Sequence, residues 1–446
     1  KKEIALRQQL TKEYNIDLFS ASEPRIAKEL FAMFLSKKTG IKKYDLKKMR
    51  THRSKLIVND LLLPYVKFKT ATFQRLVNKF KALELNPYDL KGSFKYTVRY
   101  KKITTHFGLG GVHGARKDIY TSNDEFVIMS SDVTSFYPNL AIRNKWAPQH
   151  LPKEEFCDQY EWFFNERKKI PKSDPRNYVY KIVLNSTYGL SNDENSFLYD
   201  PELTMRITLN GQLSLMMLYE MICEGIPNAI PLMHNTDGLE TRIPRKYVNE
   251  YMEICKQWED ITNLQLEHDT YQKVILADCN NYIAQTEGTD FKIKCKGRFV
   301  FEDLPLHKNK SFLCIRKAIY DYFIKGIEPE VSIKENTNIF DFCGGKKANG
   351  GWEYWAESIE KGKIKKDKLQ KTIRYYISNG GSKLMKINYL DERVSQVEAG
   401  KWLQNIFIDY IEKPFEEYDI NYDYYIKKAK REIELLKPNT NQLQLF

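Results

Sequence analysis

Asp132-Val-Thr-Ser-Phe-Tyr-Pro138 is the first of three short segments that together describe one candidate active site. The others, Lys181-Ile-Val-Leu-Asn-Ser-Thr-Tyr-Gly189 and Asn235-Thr-Asp-Gly238, follow in that order. The first and third segments each place an aspartate at the end of a run that is rich in β-forming residues. In the second, Lys181, Asn185 and Tyr188 stand at positions i, i+4 and i+7, which form one face of a helix. Two carboxylates that share divalent metals beside a cationic helix are the groups that nucleotidyl transfer requires.

The order and spacing of the three segments make them informative together. Lys181 lies 49 residues after Asp132, and Asp237 lies 52 residues after Asn185. In this arrangement the segments resemble motifs A, B and C of the family B DNA polymerases, most closely the phage-type members. Motif B matches in full, motif A departs only by Phe136 for leucine, and motif C has Asn235 where the family usually has its first aspartate. The motifs cover the middle of the chain, and the residues outside them resemble the family only in general character.

The composition indicates a globular protein with a polyanionic partner. A chain of 446 residues can form two or more subdomains, and 42% of it is hydrophobic. The net charge of +13 suits nucleic acid, although many basic proteins bind none. No apolar run is long enough to cross a membrane, since Glu220 and Glu224 interrupt the best candidate.

The seven cysteines are scattered and never form a C-x-x-C pair, which argues against a zinc site and favours a reducing cytoplasm. The resemblance to phage-type polymerases implies that this is the cytoplasm of a bacterial or phage-infected cell. The chain begins Lys1-Lys2 without an initiator methionine, which indicates a fragment or a processed chain.

Local patterns predict a mixture of helices and strands. Residues 1–95 are mostly helical in pattern, Tyr96–Tyr100 is typical of a strand, and a glycine cluster follows at Phe107–Gly114. Leu213–Ile222 has an amphipathic helical pattern, and the chain after residue 305 is lysine-rich and predicted to be helical. The hydrophobic periodicity alone therefore predicts only a mixture of α and β structure.

The resemblance implies a more specific architecture. We expect an α+β right-hand polymerase fold, with a palm of antiparallel sheet and helices, short helical fingers and a helical C-terminal thumb. The expected segments are an N-terminal helical connector (1–95), a palm in two parts (96–160 with motif A, and 190–305 with motif C), fingers (161–189, with motif B), a thumb (306–441) and a clamp-binding tail (442–446).

The resemblance implies that Asp132 and Asp237 hold two Mg²⁺ ions, with Mn²⁺ as a substitute, and that the backbone carbonyl of Val133 supplies a further oxygen. Hard cations prefer oxygen ligands, so two carboxylates from separate strands suit this chemistry. Asn235 offers one neutral carbonyl oxygen and is a poor Mg²⁺ ligand. Because the second aspartate of motif C is the consistent ligand in the family, Asp132 and Asp237 are expected to be sufficient.

Six residues are expected to contact the incoming dNTP: Ser135, Phe136, Tyr137, Arg167, Lys181 and Asn185. By resemblance, Lys181 holds the triphosphate, and the ring of Tyr137 lies beneath the sugar and excludes a 2′-hydroxyl. Arg167 belongs to a basic run before motif B, and its planar guanidinium suits phosphate oxygens. A solvated basic turn at Pro171 is the alternative for this run.

Four residues are expected near the nascent base pair and the template: Tyr188, Gly189, Gly110 and Gly111. The two glycines belong to the cluster at 107–114, which loosely resembles the aromatic-Gly-Gly element by which phage members touch the template. Dense glycines permit close backbone approach to a phosphate chain, and an ordinary loop is the alternative.

Lys294-Cys-Lys-Gly297 resembles the lysine motif of the family, which grips the primer backbone. Lys294 and Lys296 are point charges suited to phosphate contact that is independent of sequence, and Gly297 completes the motif. The motif is short, and its pattern is common.

The last five residues, Gln442-Leu443-Gln-Leu445-Phe446, resemble the pentapeptide that binds the bacterial sliding clamp. A polar anchor and an apolar pair at an exposed terminus can dock in an apolar groove with little reorganisation. A chance match is the alternative for so short a segment.

These features predict a DNA-directed DNA polymerase that adds dNTPs to a primer 3′ end on a primer–template and is tethered to a clamp. A proofreading exonuclease is not expected in this chain, since its one Asp-x-Glu segment, Asp200-Pro-Glu202, lies between motifs B and C. A catalytically impaired, clamp-tethered DNA-binding protein is one alternative. A reverse transcriptase is less favoured, because Gly238 follows Asp237 where that class typically has adjacent aspartates.

Deleting Gln442–Phe446 should abolish stimulation by a bacterial sliding clamp and leave single-nucleotide incorporation without the clamp unchanged. The tail is expected only to raise the effective concentration of the chain at the primer end. Extension length on a clamp-loaded primed circle measures the effect. Changing Leu445 and Phe446 together to alanine should match the deletion, since apolar anchors carry most of the energy of small contacts. Equal product lengths with and without the tail would make the match a coincidence.

Overall fold

The computed structural model describes residues 2–302, 304, 311–398, 402–405 and 413–437. The chain divides into two compact units, both of mixed α+β structure with antiparallel sheets. The first unit comprises Lys1–Arg116 and Thr121–Gln272, and the second comprises Lys117–Tyr120 and Lys273–Phe446.

The helices and strands are as follows. The helices are α1 (Lys2–Tyr14), α2 (Glu23–Thr39), α3 (Lys43–Leu46), α4 (Ala71–Lys81), α5 (Leu90–Ser93), α6 (Phe136–Arg143), α7 (Lys153–Lys169), α8 (Pro175–Leu190), α9 (Pro201–Gly225), α10 (Val248–Thr262), α11 (Leu313–Tyr320), α12 (Pro329–Lys334) and α13 (Tyr422–Leu436). The strands are β1 (Leu56–Ile57), β2 (Glu84–Leu85), β3 (Tyr96–Tyr100), β4 (Ile103–Gly108), β5 (Gly111–Ala115), β6 (Asp118–Thr121), β7 (Phe126–Val133), β8 (Ile230–Asn235), β9 (Gly238–Pro244), β10 (Leu266–Asp278), β11 (Asn281–Thr286), β12 (Ile293–Cys295), β13 (Cys343–Lys347), β14 (Trp352–Glu360), β15 (Lys363–Lys368), β16 (Thr372–Ser378), β17 (Lys383–Asn388), β18 (Val394–Gln396) and β19 (Trp402–Asn405).

The main sheet of the first unit carries two of the three sequence segments. Its strands follow the order β10-β7-β9-β8-β5-β4-β3, and every neighbouring pair is antiparallel. The predicted strand at Tyr96–Tyr100 and the predicted strand pair around Asn235–Gly238 are confirmed. The glycine cluster forms the β4–β5 hairpin, with Gly110 in its turn, and is not the ordinary loop that was the alternative to a template contact.

Helix α9 lies in the core of the first unit. It was expected to be amphipathic over Leu213–Ile222, and this expectation is wrong, because 20 of its 25 residues are buried. A helix buried on all sides has no solvent-facing stripe. Several of its polar side chains therefore find partners inside the protein, as the Ser214 hydroxyl illustrates at 3.1 Å from the Tyr65 hydroxyl.

Two polar side chains of α9 bind the N-terminal region. The side-chain oxygen of Asn210 accepts the backbone N–H of Leu63 at 2.7 Å. The carboxylate of Glu220 accepts the backbone N–H groups of Lys69 and Thr70, each at 2.8 Å. The bonds to Glu220 satisfy backbone donors directly before α4, and all three bonds tie residues 63–70 to the core.

Helix α8, which contains motif B, packs against α2 and α7. Phe31 and Phe34 of α2 contact Phe163 of α7, with ring centroids 5.7 and 5.3 Å apart. Phe163 in turn contacts Tyr180 of α8 at 5.5 Å. This aromatic packing covers one side of α8 and leaves Lys181 and Asn185 exposed.

The second unit differs from the helical region that was expected after residue 305. Helices α11, α12 and α13 are present, but residues 343–405 contain strands β13 to β19. These form two antiparallel sheets, ordered β13-β16-β19 and β15-β14-β17-β18. The lysines of this region stand on strands such as β15, Lys363–Lys368, which is exposed throughout, so lysine content did not indicate helix.

No helix among the residues described is both long and apolar enough to cross a membrane.

Candidate active site

The structure brings Asp132 and Asp237 together through the pairing of β7 with β9. Asp132 lies near the end of β7 and pairs with Gly238, the first residue of β9. Asp237 occupies the two-residue turn between β8 and β9, and its carbonyl accepts the backbone N–H of Val133 at 2.7 Å. Both aspartates are exposed, so their carboxylates are accessible to ligands.

Gly238 provides the space that the Asp132 side chain occupies. A Cβ atom at position 238 would overlap Oδ1 of Asp132 and would lie 3.0 Å from its Cγ. Both contacts are closer than van der Waals packing permits, so any side chain at 238 would displace the carboxylate. Gly238, which follows Asp237 in motif C, therefore leaves room for the carboxylate of Asp132 in motif A.

The turn that carries Asp237 is held by several hydrogen bonds. Thr236 has φ +55°, an uncommon value for a β-branched residue. Its backbone N–H donates to the Val112 carbonyl at 2.9 Å, and its hydroxyl lies 3.1 Å from His113 Nε2. The same hydroxyl donates to Oδ1 of Asn235 at 3.2 Å. Asn235 thus supports the turn through its side chain.

Gly111 brings β5 close to this turn. A Cβ atom at Gly111 would lie 2.8 Å from the Thr236 hydroxyl oxygen. The sequence predicted a template contact for Gly110 and Gly111. The structure gives Gly111 a packing role against the motif C turn, and Gly110 accepts a hydrogen bond from Tyr137.

Tyr137 and Tyr188 form an aromatic pair beside the carboxylates. Their ring centroids are 4.9 Å apart in an edge-to-face arrangement, and the Tyr137 hydroxyl donates to the Gly110 carbonyl at 3.1 Å. Burial, followed by the nearby Tyr188 and Asp237, raises the pKa of Tyr137. Burial and Asp237 also raise the pKa of Tyr188. Asp237 therefore lies within electrostatic range of both phenols.

Helix α9 leaves room for the Tyr137 ring. A Cβ atom at Gly211 would lie 2.7 Å from Cε1 of Tyr137 and 3.6 Å from the ring of Phe136. Both aromatic residues are buried. The ring of Tyr137 is thus held between α9, Tyr188 and the β4–β5 turn.

The turn after Asp132 connects to the basic run before motif B. Ser135 has φ +46° at the start of α6, and the Asn139 side-chain amide donates to the Thr134 carbonyl at 2.6 Å. Arg167, in the last turn of α7, donates to the Ser135 hydroxyl and to Oδ1 of Asn177, both at 3.4 Å. Burial lowers the pKa of Arg167. The structure therefore places Arg167 at motif A, and does not leave it in a solvated turn.

The predicted helical face of motif B is present on α8. Lys181 and Asn185 are exposed, Tyr188 is half-buried, and Gly189 is exposed near the helix end. A cleft of about 410 Å³ is lined by Tyr188, Gly189 and Gly110, together with Lys91 and Lys95. Three of the four predicted template residues therefore surround one cavity.

Sequence reasoning missed Lys91, Lys95 and Glu267. The two lysines belong to or follow the short helix α5, where no motif marked them. Glu267 lies directly opposite Asp132 on β10, and its carboxylate accepts the Thr134 hydroxyl at 3.3 Å. Directly opposed residues share one face of a sheet, so Glu267 adds a carboxylate near the site. Only the strand register could have identified it.

The donor set suits a hard divalent cation that the substrate helps to hold. Within the described ranges, no group of three or more His, Cys, Asp or Glu side chains could hold a metal. Mg²⁺ is commonly held by one or two carboxylates, with waters and substrate phosphates completing its shell. Asp132 and Asp237 fit this pattern, and they are the residues that would hold such ions.

The remaining predicted residues lie elsewhere or outside the described ranges. Lys294 and Lys296 belong to the second unit, at the β11–β12 hairpin, where the Lys296 N–H donates to the Tyr282 carbonyl at 2.9 Å. Gly297 has φ +58°, and a Cβ there would overlap the Asn280 carbonyl. The tail residues Gln442, Leu443, Leu445 and Phe446 lie outside the described residues.

No protein-family model matches the chain, and no curated protein shows significant similarity to it. Inferences about function therefore rest on the motifs and on the geometry of the site.

Gly238→Ala should weaken Mn²⁺ binding by at least about tenfold, because the added methyl group displaces the Asp132 carboxylate from the site. Electron paramagnetic resonance of free Mn²⁺ during titration measures the affinity. Gly108→Ala is the control, since a Cβ at Gly108 meets nothing within 4 Å and should leave the affinity unchanged. Equal affinity in the parent chain and Gly238→Ala would contradict the role of Gly238.

Proposed function

We propose that this chain is a DNA-directed DNA polymerase resembling the family B enzymes, which adds dNTPs to the 3′ end of a primer on a DNA template. The observation that carries the proposal is the juxtaposition of Asp132 and Asp237 through the Val133–Asp237 backbone hydrogen bond of 2.7 Å. Both carboxylates are exposed, as is Lys181, and Tyr188 of the same helix as Lys181 lies within electrostatic range of Asp237. Two carboxylates and a nearby cation are the minimum for two-metal phosphoryl transfer.

Each part of the site has a proposed task in the reaction. When bound, two Mg²⁺ ions, or Mn²⁺ in their place, supply charge neutralisation for the transferring phosphoryl group. Asp132 and Asp237 would hold them, with the Val133 carbonyl as a further oxygen. Lys181 would contact the triphosphate, and Arg167 would contact a phosphate oxygen from the motif A side. Asn185 would lie near the nascent base pair.

Tyr137 is the proposed barrier against ribonucleotides. Its ring is supported by Tyr188 at 4.9 Å, and its hydroxyl is held by the Gly110 carbonyl. A ring fixed on several sides cannot move aside for an added 2′-hydroxyl, so selectivity would be steric. Ser135 and Phe136 would shape the same nucleotide pocket from the motif A turn.

Each unit carries its own proposed nucleic-acid contacts. The cleft at Tyr188, Gly189 and Gly110 suits a template nucleotide, and Lys91 and Lys95 add positive charge at its lining. Lys294 and Lys296 would contact the primer backbone. A sliding clamp would bind the tail, and a bacterial or phage-infected cytoplasm is the proposed compartment.

The neutral side chain of Asn235, at the first position of motif C, is the observation that favours an alternative function. A catalytically impaired, clamp-tethered DNA-binding protein would follow if both motif C carboxylates were required. In this chain the Asn235 side chain accepts the Thr236 hydroxyl within the turn. That contact supports a structural task for Asn235, and the proposal assigns catalysis to Asp132 and Asp237. The adjacent Gly238 argues against a reverse transcriptase.

Asp132→Ala and Asp237→Ala should each lower kcat for Mg²⁺-dependent primer extension by at least about 10³-fold, since metal assistance is worth several kcal/mol. Binding of primer–template should be largely retained, because neither residue is a major phosphate contact. Single-turnover incorporation and an anisotropy titration measure the two effects.

Two further variants sharpen this test. Asp124→Ala, an exposed aspartate just before β7, should have no effect on incorporation. Asn235→Ala should be far milder than Asp237→Ala. Substantial activity in either catalytic variant would overturn the metal-ligand assignment, and a deep loss in Asn235→Ala would favour the impaired-enzyme alternative.

Tyr137→Ala should raise the ratio of ribonucleotide to deoxyribonucleotide incorporation by about tenfold or more, because it opens space at C2′. The ratio of the two kcat/KM values is the measurement. Tyr137→Phe keeps the ring and removes only the hydroxyl bonded to Gly110, so its ratio should equal that of the parent. An unchanged ratio in the alanine variant would make Tyr137 a packing residue.

A further inference from the structure

A small pocket in the second unit combines aromatic walls with an excess of positive charge. Its volume is about 210 Å³, and Phe312 and Tyr375 contribute to its walls. Its charged lining consists of four cations and two carboxylates: Arg298, Arg316, Lys346, Lys428, Glu398 and Glu432.

Both carboxylates of the pocket are already paired. Glu432 forms an ion pair with Arg298 at 3.0 Å. Glu398 accepts the Tyr424 hydroxyl at 2.6 Å and forms an ion pair with Lys428 at 3.4 Å. These contacts cancel the charges of two of the four cations.

Arg316 and Lys346 carry the remaining charge. Arg316 is half-buried, and its guanidinium donates to the Val300 carbonyl at 2.6 Å and to the Ser311 hydroxyl. Both acceptors are neutral, and a guanidinium has five N–H donors, so capacity for an anion remains. Neither Arg316 nor Lys346 forms an ion pair with any carboxylate in the described part of the chain. Burial lowers the pKa of Arg316, a cost that a bound anion would offset.

The size and charge of the pocket define its ligand. Sites that enclose whole small molecules typically occupy about 300–1,000 Å³, so this pocket suits one chemical group of a larger ligand. The lining has two more cations than carboxylates, and this excess matches a phosphate monoester, which carries about −1.5 to −2 at neutral pH. A backbone phosphodiester carries only a single charge. Arg316 supplies the planar fork and Lys346 the point charge that phosphate oxygens accept.

We propose that this pocket binds a terminal phosphate monoester, carried by the 5′ end of a nucleic-acid strand or by a free nucleotide. The base and the rest of the ligand remain outside the pocket. The pocket shares no residue with the proposed active site, so the inference goes beyond the proposed function and does not depend on it.

The test compares two fluorescein-labelled single-stranded DNAs that differ only in a 5′-phosphate or a 5′-hydroxyl. The label is on the 3′ end, and binding to the full chain is followed by fluorescence anisotropy. The phosphorylated strand should bind about tenfold more tightly, as hydrogen bonds to charged groups predict. Arg316→Gln and Lys346→Gln should each remove most of this preference. Lys346 is exposed, so its variant should fold normally, as a melting curve would verify.

Three controls distinguish binding in the pocket from general electrostatic attraction to the chain and from nucleotide incorporation. Arg431→Gln removes an exposed cation of α13 that does not line the pocket and should keep the preference. Asp132→Ala should also keep it, whether or not the chain incorporates nucleotides. Competition with dAMP, but not with deoxyadenosine, would identify a free nucleotide as a ligand, whereas a preference that dAMP does not disturb would identify the strand end. Equal binding of the two DNAs by the parent, or a preference that survives in both pocket variants, would overturn the proposal.

Discussion

The antiparallel pairing of β7 with β9 is the constraint on which the candidate site depends. It places Asp132 opposite Gly238 and lets the Val133 N–H donate to the Asp237 carbonyl at 2.7 Å. Because the side-chain period of a strand is two, a slip of one residue would turn Asp132 to the other face of the sheet. The missing side chain at Gly238 and the hydrogen-bonded turn at Thr236 both favour this register. Two carboxylates that are far apart in the sequence are therefore positioned by backbone geometry alone.

Helix α9 links the site that this strand register forms to the rest of the first unit. Gly211 leaves space for the Tyr137 ring, while the Gln212 side chain donates to the Gly108 carbonyl at 2.9 Å. The same helix is thus in contact with the motif A aromatics and with the β4–β5 hairpin that supports Tyr137. A rigid aromatic wall of this kind requires close packing, because small shifts in a dense core are costly.

The sequence predicted local structure well where each segment carried its own signal. The strand ending near Asp132, the helix of motif B and the hairpin at Asn235–Gly238 all had such signals and are present. The strands in residues 343–405 were missed, because several of them lack an alternating pattern: β15 is lysine-rich and exposed throughout, whereas β16 is buried at six consecutive residues. The positions of Glu267 beside Asp132 and of Arg167 beside Ser135 depend on strand register and helix packing. Such long-range relations leave no local pattern to detect.

The buried carboxylate of Glu220 makes the N-terminal helices integral to the first unit. Its hydrogen-bond partners are the backbone N–H groups of Lys69 and Thr70, and Asn210 likewise binds Leu63. A shortened chain beginning at β3 would remove these partners of the Glu220 carboxylate and of the Asn210 side-chain oxygen, at a cost of about 1–3 kcal/mol each or more for the charged group. A minimal folded fragment of the first unit should therefore keep the segment from Leu61 to α4, even though it contributes no residue to the candidate site.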